Sequence, residues 1–213
     1  MTFNSVYEIT NPLTTVAGQR FIDDFSGSSL DSKKWGFNEA SGNGSRGMTD
    51  DGSGSGGGYS MTTSSSNGSN YMQLKGGNGT IRQFDAEGCA FIAVVRALTG
   101  SNNAFYVGMH EDSYFAGDHS SSRSYYRLSH RNNLIGTGNV DTATPIDYDW
   151  HTHHGSTDGV AVNYGLDGVQ GCTATYPIPS TEAGDLEAWW QTYTPDSSTS
   201  RSCAIRYFEA WNH

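Results

Sequence analysis

The sequence predicts an all-β protein built as a two-sheet sandwich. About a dozen short runs of alternating or apolar residues recur along the chain at a spacing of ~8–12 residues, with turn residues between them. Glycine contributes 27 of the 213 residues and aromatic residues 12%, which is typical of aromatic-bearing strands joined by tight turns. Helical periodicity is nearly absent, and no repeat with a period of ~20–50 residues is visible, which argues against a propeller or a solenoid.

The predicted elements begin after an N-terminal arm. Residues 1–18 show no clear period and contain Pro12, so we expect an extended arm followed by a single domain over residues 19–213. The first residues lack the basic and apolar segments of a secretory signal, so no signal is visible: either it was removed or it never existed. Residues 41–58 are rich in Gly and Ser and have almost nothing to bury, which predicts a loop within the domain.

The first predicted strand covers residues 19–25, with Leu30 and Trp35 as apolar anchors beyond its turn. The pair Asp167 and Gly168 favours a two-residue hairpin turn, because both positions of such a turn need positive φ. Residues 181–193 are ambiguous between helix and strand. The remaining strands are predicted near residues 59–63, 71–75, 80–84, 89–98, 104–110, 124–130, 134–136, 149–154, 160–164, 169–173, 186–192 and 202–211.

Composition and charge argue against several classes of function. The chain has 12 Lys and Arg against 22 Asp and Glu, and because phosphate neutralisation needs clustered basic residues, we expect no nucleic-acid binding. The most apolar stretch, residues 89–98, is far shorter than the ~18 residues of a membrane span, so we expect no membrane partner. Cys89, Cys172 and Cys203 allow at most one disulfide, and we expect them to be small buried apolar residues.

Three motifs resemble the concanavalin A-like lectin/glucanase family. Residues 21–35, FIDDFSGSSLDSKKW, are similar to the start of such sandwiches, with an Asp-Phe pair, a short turn, then Leu-Asp and a Trp. Residues 149–151 and 160–169 resemble the family's Trp-His strand and its Asp-Gly turn. Residues 203–211 resemble the final strand, which pairs beside the first. The resemblance implies an antiparallel jelly roll of the concanavalin A-like type over nearly the whole chain.

The acidic motif of the laminarinase branch of that family is missing. Its catalytic members carry Glu-x-Asp-x-x-Glu or Glu-x-Asp-x-Glu on one strand, since alternate residues share a face and place two carboxylates about 5 Å apart. The nearest approaches here are Glu111 with Asp112, and Asp185 with Glu187, for which a solvated edge is the simpler interpretation. Glu209 has no second carboxylate near it in sequence. We therefore expect no catalytic residues and a non-enzymatic protein.

Two groups of residues offer metal ligands. His151 and His153 would point the same way from one strand, with His154 beside them, although such a strand is more often simply polar. A structural calcium ion is the stronger alternative, because sandwiches of the resembled family often hold one and because four carboxylates supply hard oxygen ligands. These carboxylates are Asp23, Asp24, Asp50 and Asp51. No other cofactor is expected.

Adjacent aromatic residues are the candidates for binding. Neighbours in a strand face opposite ways, so one ring of each pair must leave the core or pack on a second surface. Exposed rings stack on sugars or fill protein interfaces, although covering loops are the simpler alternative. The candidate residues for glycan or partner binding are Tyr114, Tyr125, Tyr126, Trp189, Trp190 and Tyr193.

These observations favour a non-enzymatic structural or adhesion protein displayed on a phage or virus particle. As a capsid decoration or receptor-facing module, it would hold other virion proteins through the N-terminal arm and would be part of an oligomer or a larger assembly. It would lie on the virion surface or outside cells and could bind a polysaccharide. The alternatives are a carbohydrate-binding module of a secreted adhesin or enzyme system, and a glucanase or lyase with rearranged catalytic residues.

Overall fold

The computed structural model is all-β in the residues that it describes. These residues are 20–39, 44–49, 57–63, 71–76, 84, 88–98, 105–110, 114–119, 125–132, 136–145, 147–158, 160–174, 186–193 and 200–213. In chain order the strands are β1 (Arg20–Asp23), β2 (Trp35–Glu39), β3 (Ser45–Thr49), β4 (Gly58–Thr62), β5 (Tyr71–Gly76), β6 (Cys89–Ala97), β7 (Phe105–His110), β8 (Tyr114–His119), β9 (Tyr125–Asn132), β10 (Gly136–Pro145), β11 (His151–Thr157), β12 (Val162–Leu166), β13 (Val169–Ala174), β14 (Glu187–Tyr193) and β15 (Ser202–Asn212).

The strands form two antiparallel sheets. The eight-stranded sheet has the order β13-β12-β11-β6-β15-β4-β3, and β1 pairs with β15 beside this path. The seven-stranded sheet has the order β10-β9-β8-β7-β14-β5-β2. This arrangement confirms the predicted two-sheet sandwich and the predicted pairing of the last strand with the first. No helix in the described ranges is long and apolar enough to cross a membrane.

The core lies between the sheets and follows the alternation of the strands. Phe91, Val95, Ile205 and Phe208 come from the eight-stranded sheet, and each is fully buried. The seven-stranded sheet contributes Trp190 together with the apolar residues of β7. Burying side chains of this size is the main favourable term that holds the two sheets together.

The opening motif is a turn that fixes Trp35 in the core. The Asp23 carboxylate accepts hydrogen bonds from the Trp35 indole Nε1 at 2.7 Å and from the backbone nitrogen of Phe25 at 3.0 Å. Phe25 has a φ of 49°, a left-handed conformation, and its ring stacks on Trp35 with centroids 5.6 Å apart. The predicted anchors are confirmed, since Trp35 is buried and Leu30 packs against the core.

The predicted hairpin turn joins β12 to β13. Asp167 and Gly168 have φ values of 51° and 83°, and the flanking residues Leu166 and Val169 are register partners. Both turn residues thus adopt the positive φ that a two-residue hairpin needs. In the ambiguous stretch 181–193, the described residues form strand β14.

Several strands lie where the sequence predicts none. They are β2, β8 and most of β10, while β3 lies inside the Gly- and Ser-rich segment 41–58 that was expected to be a loop. Strand β3 is held by pairing with β4, by Met48 packing against the core, and by the Arg46 guanidinium, which lies 3.3 Å from the Phe37 ring centroid. The arm at residues 1–18 and most of the predicted strand 80–84 lie outside the described residues; Phe84 itself bridges to Leu186.

Candidate functional site

The seven-stranded sheet has one face on the core and one face away from it. Phe105, Val107 and Met109 of β7, with Ala188 and Trp190 of β14, belong to the core. Because strand residues alternate between faces, the residues between them lie on the opposite face, which we call the outer face of the seven-stranded sheet. They are Tyr106, Gly108, Glu187, Trp189 and Gln191.

Register extends this outer face across the neighbouring strands, because directly opposed residues of antiparallel strands share a face. We call the resulting lines of residues the first, second and third rows. The first row is Glu187, His110, Tyr114, Arg131 and Thr137. The second row is Trp189, Gly108, Ala116, Ser129 and Asn139. The third row is Gln191, Tyr106, Asp118, Arg127 and Asp141.

The three rows together hold acidic, basic, imidazole and phenol groups on five adjacent strands. Glu187, Gln191 and Tyr106 are half-buried, so solvent reaches this part of the face. The Trp189 indole stacks on the Tyr106 ring with centroids 5.3 Å apart and an angle of 15° between the planes. Small residues, Gly108 and Ala116, continue the second row beside this aromatic pair. The register therefore places reactive polar residue types at positions next to an aromatic pair.

The predicted aromatic residues divide between the two faces. Trp190 was expected to be a candidate for glycan or partner binding. It is instead a core residue, fully buried near Tyr59. Trp189 lies on the outer face but is only 3% exposed beneath Tyr106. Adjacent strand residues do face opposite ways, as expected, and here both members of the pair are covered.

The four tyrosines among the candidates are placed by register alone. Tyr114 belongs to the first row, and Tyr193 pairs with Tyr71 at the far end of β14. Tyr125 begins β9 opposite Pro145, and Tyr126 follows it in the strand. A binding role for these four residues stays a prediction.

His151 is clamped between two carboxylates. Its Nδ1 lies 2.5 Å from the Asp167 carboxylate and its Nε2 lies 2.7 Å from the Asp147 carboxylate. Burial lowers the pKa of His151, but the hydrogen bonds to Asp167 and Asp147 outweigh burial and raise its pKa to about 9. Both ring nitrogens then donate hydrogen bonds to carboxylates at neutral pH.

The other two histidines of β11 pack against neighbouring residues. His153 is fully buried, its Nδ1 bonds the Tyr164 hydroxyl, and its ring meets the edge of Phe105 at 5.8 Å. His154 lies over Gly165 of the neighbouring strand, where a Cβ would come 2.1 Å from its Nε2. Among the described residues, no group of three or more His, Cys, Asp or Glu is arranged to hold a metal ion.

Of the four predicted calcium ligands, two are described. Asp23 is 6% exposed and engaged with Trp35, Phe25 and, at 3.6 Å, the Lys34 ammonium. Asp24 accepts hydrogen bonds from the backbone nitrogen and the hydroxyl of Ser26, and these lower its pKa. Asp50 and Asp51 lie outside the described residues, so a calcium ion here stays a prediction.

Two of the cysteines are described as buried free thiols. Cys89 and Cys203 are fully buried in the core, as predicted for small apolar residues. Burial raises the pKa of Cys203 to about 12, which keeps it protonated and unreactive at neutral pH. Cys172 lies on β13 opposite Tyr164.

Comparisons with known proteins identify the fold. No family model matches the sequence, and no curated protein matches it significantly. The laminarinase catalytic domain from Thermotoga maritima is similar, with 8% identity, a TM-score of 0.66, and coverage of 91% of this chain and 97% of that one. A β-1,3-glucanase from Mycobacterium marinum has 16% identity, a TM-score of 0.62, and coverage of 90% and 97%. A carbohydrate esterase from the Shiga toxin-encoding bacteriophage phi24B has 16% identity, a TM-score of 0.57, and coverage of 91% and 97%.

These similarities confirm a concanavalin A-like jelly-roll sandwich of the glucanase type over nearly the whole chain. They also contradict the prediction of a non-enzymatic protein, because the solved structures that match over nearly their whole length include glucanases and laminarinases. That prediction was based on a motif confined to one strand. Register places Glu187 in the first row and Asp118 and Asp141 in the third row, on three different strands, and a single-strand motif does not reveal such an arrangement.

Proposed function

We propose that the protein is a carbohydrate-active enzyme that acts on a polysaccharide bound across the outer face of the seven-stranded sheet. The observation that carries the proposal is the set of three rows, in which acidic, basic and aromatic residues occupy adjacent positions on five strands. Similarity to glucanase folds supports it, because the likeness extends along nearly the whole chain.

The first row supplies groups for proton transfer. Glu187, His110 and Tyr114 follow one another on three strands, at a backbone spacing of about 4.8 Å per strand. Carboxylate, imidazole and phenol are the side chains that enzymes use as general acids and bases. Arg131 comes next in the row, where a guanidinium stabilises negative charge that develops during the reaction.

The third row supplies a pair of carboxylates. Asp118 and Asp141 both pair with Arg127, so their backbones are two strands, or about 10 Å, apart. Glycosidases use a pair of carboxylates, one as general acid and the other as general base or nucleophile, so Asp118 and Asp141 are candidates for these two roles.

The middle of the outer face suits a sugar ring. The stacked pair consists of Trp189 from the second row and Tyr106 from the third row, and Tyr106 is the more exposed of the two rings. Aromatic rings stack on the apolar faces of sugars, and the flanking polar groups would then reach the glycosidic bonds on either side.

An activity screen with matched variants tests this proposal. Purified protein is incubated with neutral β-glucans and with uronic-acid polysaccharides, and three products are followed: new reducing ends, the ultraviolet absorbance of an unsaturated uronate, and released acetate. The three readouts separate hydrolysis, elimination and ester cleavage. We expect the wild type to be active on at least one substrate, and Glu187→Gln or Asp118→Asn to lower its rate by about 100-fold or more.

The matched control is Asp31→Asn, since Asp31 lies in the exposed turn between β1 and β2, away from the outer face. This variant is expected to keep full activity. A wild type that releases no product, or Glu187→Gln and Asp118→Asn variants that are as active as Asp31→Asn, would contradict the proposal. Circular dichroism of each variant identifies any loss of fold.

We further propose that the protein works on a phage or virus particle. The similarity to the carbohydrate esterase of bacteriophage phi24B supports this location. A particle-bound enzyme would act on the surface polysaccharide of the host, and the arm at residues 1–18 would attach it to other virion proteins. We expect the protein to be found in purified particles, and a version without residues 1–18 to remain in the soluble fraction. Absence of the intact protein from purified particles would refute this location.

A further inference from the structure

The outer face of the eight-stranded sheet carries two aromatic side chains on one strand. Phe208 and Ala210 of β15 are buried in the core, so Tyr207, Glu209 and Trp211 lie on the opposite face of the strand, where all three are half-buried. Tyr207 and Trp211 are four residues apart, which corresponds to about 14 Å along a strand. An extended ligand, rather than a single small molecule, is needed to contact both rings.

A β-bulge places these side chains on the outer face. The register of β15 against β6 shifts between Ile205 and Tyr207, so that Arg206 is the extra residue. Without the bulge, Tyr207 and Trp211 would share the core face of Ile205, because every second residue of a strand lies on the same face. A bulge re-aims the side chains that follow it, and here it turns the two rings away from the core.

A carboxylate lies between the two rings and is held by donors on both sides. Arg20 on β1 contacts Oε1 of Glu209 through Nε at 2.8 Å and through a terminal nitrogen at 2.7 Å. The Tyr207 hydroxyl donates a hydrogen bond to Oε2 of Glu209 at 2.5 Å. Burial and this hydrogen bond raise the pKa of Tyr207, so its hydroxyl keeps its proton at neutral pH. We call Tyr207, Glu209, Trp211 and Arg20 the β15 platform.

The β15 platform offers hydrogen-bond donors to a ligand that is rich in hydroxyl groups. All three nitrogens of a guanidinium carry N–H donors, and Glu209 engages only two nitrogens of Arg20. The Arg20 side chain is 62% exposed, so its remaining N–H groups are accessible. Ile22, the register partner of Glu209 on β1, is 38% exposed and adds apolar area beside them. Aromatic rings with polar groups between them suit sugars, whose faces are apolar and whose edges are polar.

The charges of the β15 platform favour a neutral ligand. Arg20 and Glu209 neutralise each other, and the chain as a whole carries a formal net charge of −10, which repels an anionic polymer. A protein partner would take this ion pair out of water, and the desolvation of paired charges can exceed what their attraction returns. Hydroxyl groups of a polysaccharide instead replace the lost water molecules, so both charges stay hydrogen-bonded.

We propose that the β15 platform binds a neutral polysaccharide, with sugar rings stacked on Tyr207 and Trp211 and with hydroxyl groups hydrogen-bonded to Arg20 between them. The platform lies on the sheet opposite the one with the three rows, so it holds the polymer without taking part in the reaction. The preference for a polysaccharide over another hydroxyl-rich ligand rests on the proposed function. A polymer held here keeps the protein on a glycan surface between reaction events.

Binding to named polymers tests the proposal in two stages. Native gels that contain barley β-glucan, galactomannan or polygalacturonate first show which polymer retards the protein, and we expect at least one of the two neutral polymers to do so. An oligosaccharide of six units from that polymer is then titrated into the protein by calorimetry, in a Glu187→Gln background that limits its cleavage. We expect Tyr207→Ala/Trp211→Ala to have one binding site fewer, or to lose about tenfold or more in affinity at one site.

Two further variants complete the test. Trp211→Leu keeps most of the apolar volume but removes the planar ring, and it is expected to weaken the same site by about threefold or more. This variant decides the question if the double variant does not fold, which thermal unfolding shows. The matched control is Tyr148→Ala, which removes an exposed aromatic ring from the turn before β11, outside the platform. It is expected to change the affinity less than twofold.

Several outcomes would overturn the proposal. They are no retardation by either neutral polymer, the same sites and affinities in Trp211→Leu as in the protein with an intact platform, and equal losses in Tyr148→Ala and Trp211→Leu. Retardation by polygalacturonate that disappears in Tyr207→Ala/Trp211→Ala would show an anion site instead. A wild-type oligomer that dissociates in this double variant, measured by light scattering, would show a contact between copies. An inactive wild type would contradict the proposed function but would leave the loss of one binding site unchanged, so the two failures are distinguishable.

Discussion

At the scale of single residues, sequence predicts local chemistry well and distant partners poorly. The turn at Asp167 and Gly168 is predictable because two adjacent residue types encode it. The second role of Asp167, as one of two carboxylates around His151, is not predictable, because Asp147 precedes β11 while Asp167 follows β12. Only the folded sheet brings these three residues together.

The hydrogen bonds of His151 to Asp147 and Asp167 make the free energy of unfolding depend on pH. The folded pKa of about 9 lies above the ordinary value of 6.5, so the stabilisation is complete below pH 6.5 and is lost as the pH rises through 9. The pKa values of Asp147 and Asp167 are lowered below 3.8; burial opposes this shift, and the hydrogen bonds from His151 outweigh it. The stabilisation that these two carboxylates contribute is present above pH 3.8. It is lost as the pH falls through their pKa values in the folded protein.

We expect the difference in unfolding free energy between wild type and His151→Gln to shrink between pH 6.5 and 9, the window set by the pKa values of His151. Urea unfolding at several pH values measures it. His154→Gln is the matched control, because burial lowers the pKa of His154 and keeps it neutral across this window. A pH-independent difference for His151→Gln, or the same slope for both variants, would show that His151 is not held as a cation.

At the scale of elements, the sequence predicts the strands that have a strong apolar or alternating pattern. Strand β6 is such a case, since nearly every residue in it is buried. Strands β3 and β8, with the sequences SRGMT and YFAGDH, contain glycine and few apolar residues, so their pattern is weak. Pairing with a neighbouring strand determines them, and a single sequence carries no signal for that pairing.

Two glycines in strands differ in how closely their surroundings are packed, so alanine substitutions there distinguish overpacking from the effect of strand propensity. At Gly165 on β12, an added Cβ would come 2.1 Å from the His154 ring and 2.7 Å from the Val169 carbonyl oxygen, whereas at Gly47 on β3 it would meet nothing within 4 Å. We expect Gly165→Ala to lower the free energy of unfolding by about 1–3 kcal/mol through overpacking. Gly47→Ala is expected to be neutral or slightly stabilising. Chemical denaturation of both variants measures the contrast, and equal effects would contradict the close packing of β12 against His154.

At the scale of the whole molecule, the sandwich is predictable from sequence, and the surface proposed to bind polysaccharide is not. Composition, strand spacing and the motifs at both ends predict two sheets and the pairing of first and last strands. The rows that contain Glu187, His110 and Asp118 depend on the register of β14, β7 and β8, which the sequence alone does not specify. A search for acids within one strand named Glu187 but did not group it with residues of the neighbouring strands.

The N-terminal boundary of the folded unit is testable by truncation. Phe21 and Phe25 are buried, and Asp23 holds the Trp35 indole, so the fold needs the chain from Arg20 onward. We expect deletion of residues 1–18 to leave the thermal midpoint nearly unchanged and deletion of residues 1–25 to lower it by several degrees or to abolish folding. Differential scanning calorimetry compares the two. Equal midpoints would show that β1 adds nothing to the core.

Strand β15 has a further consequence for the rate of folding. It lies between β6 and β4 in the eight-stranded sheet, and its first residue, Ser202, follows the last residue of β6, Ala97, by 105 positions. Until β15 docks, β4 and β6 each present an open edge to which another molecule can add a strand. The long loop between β6 and β15 must close before hydrogen bonds between these strands can stabilise the sheet. We therefore expect slow refolding, with aggregation that increases with protein concentration until β15 is in place.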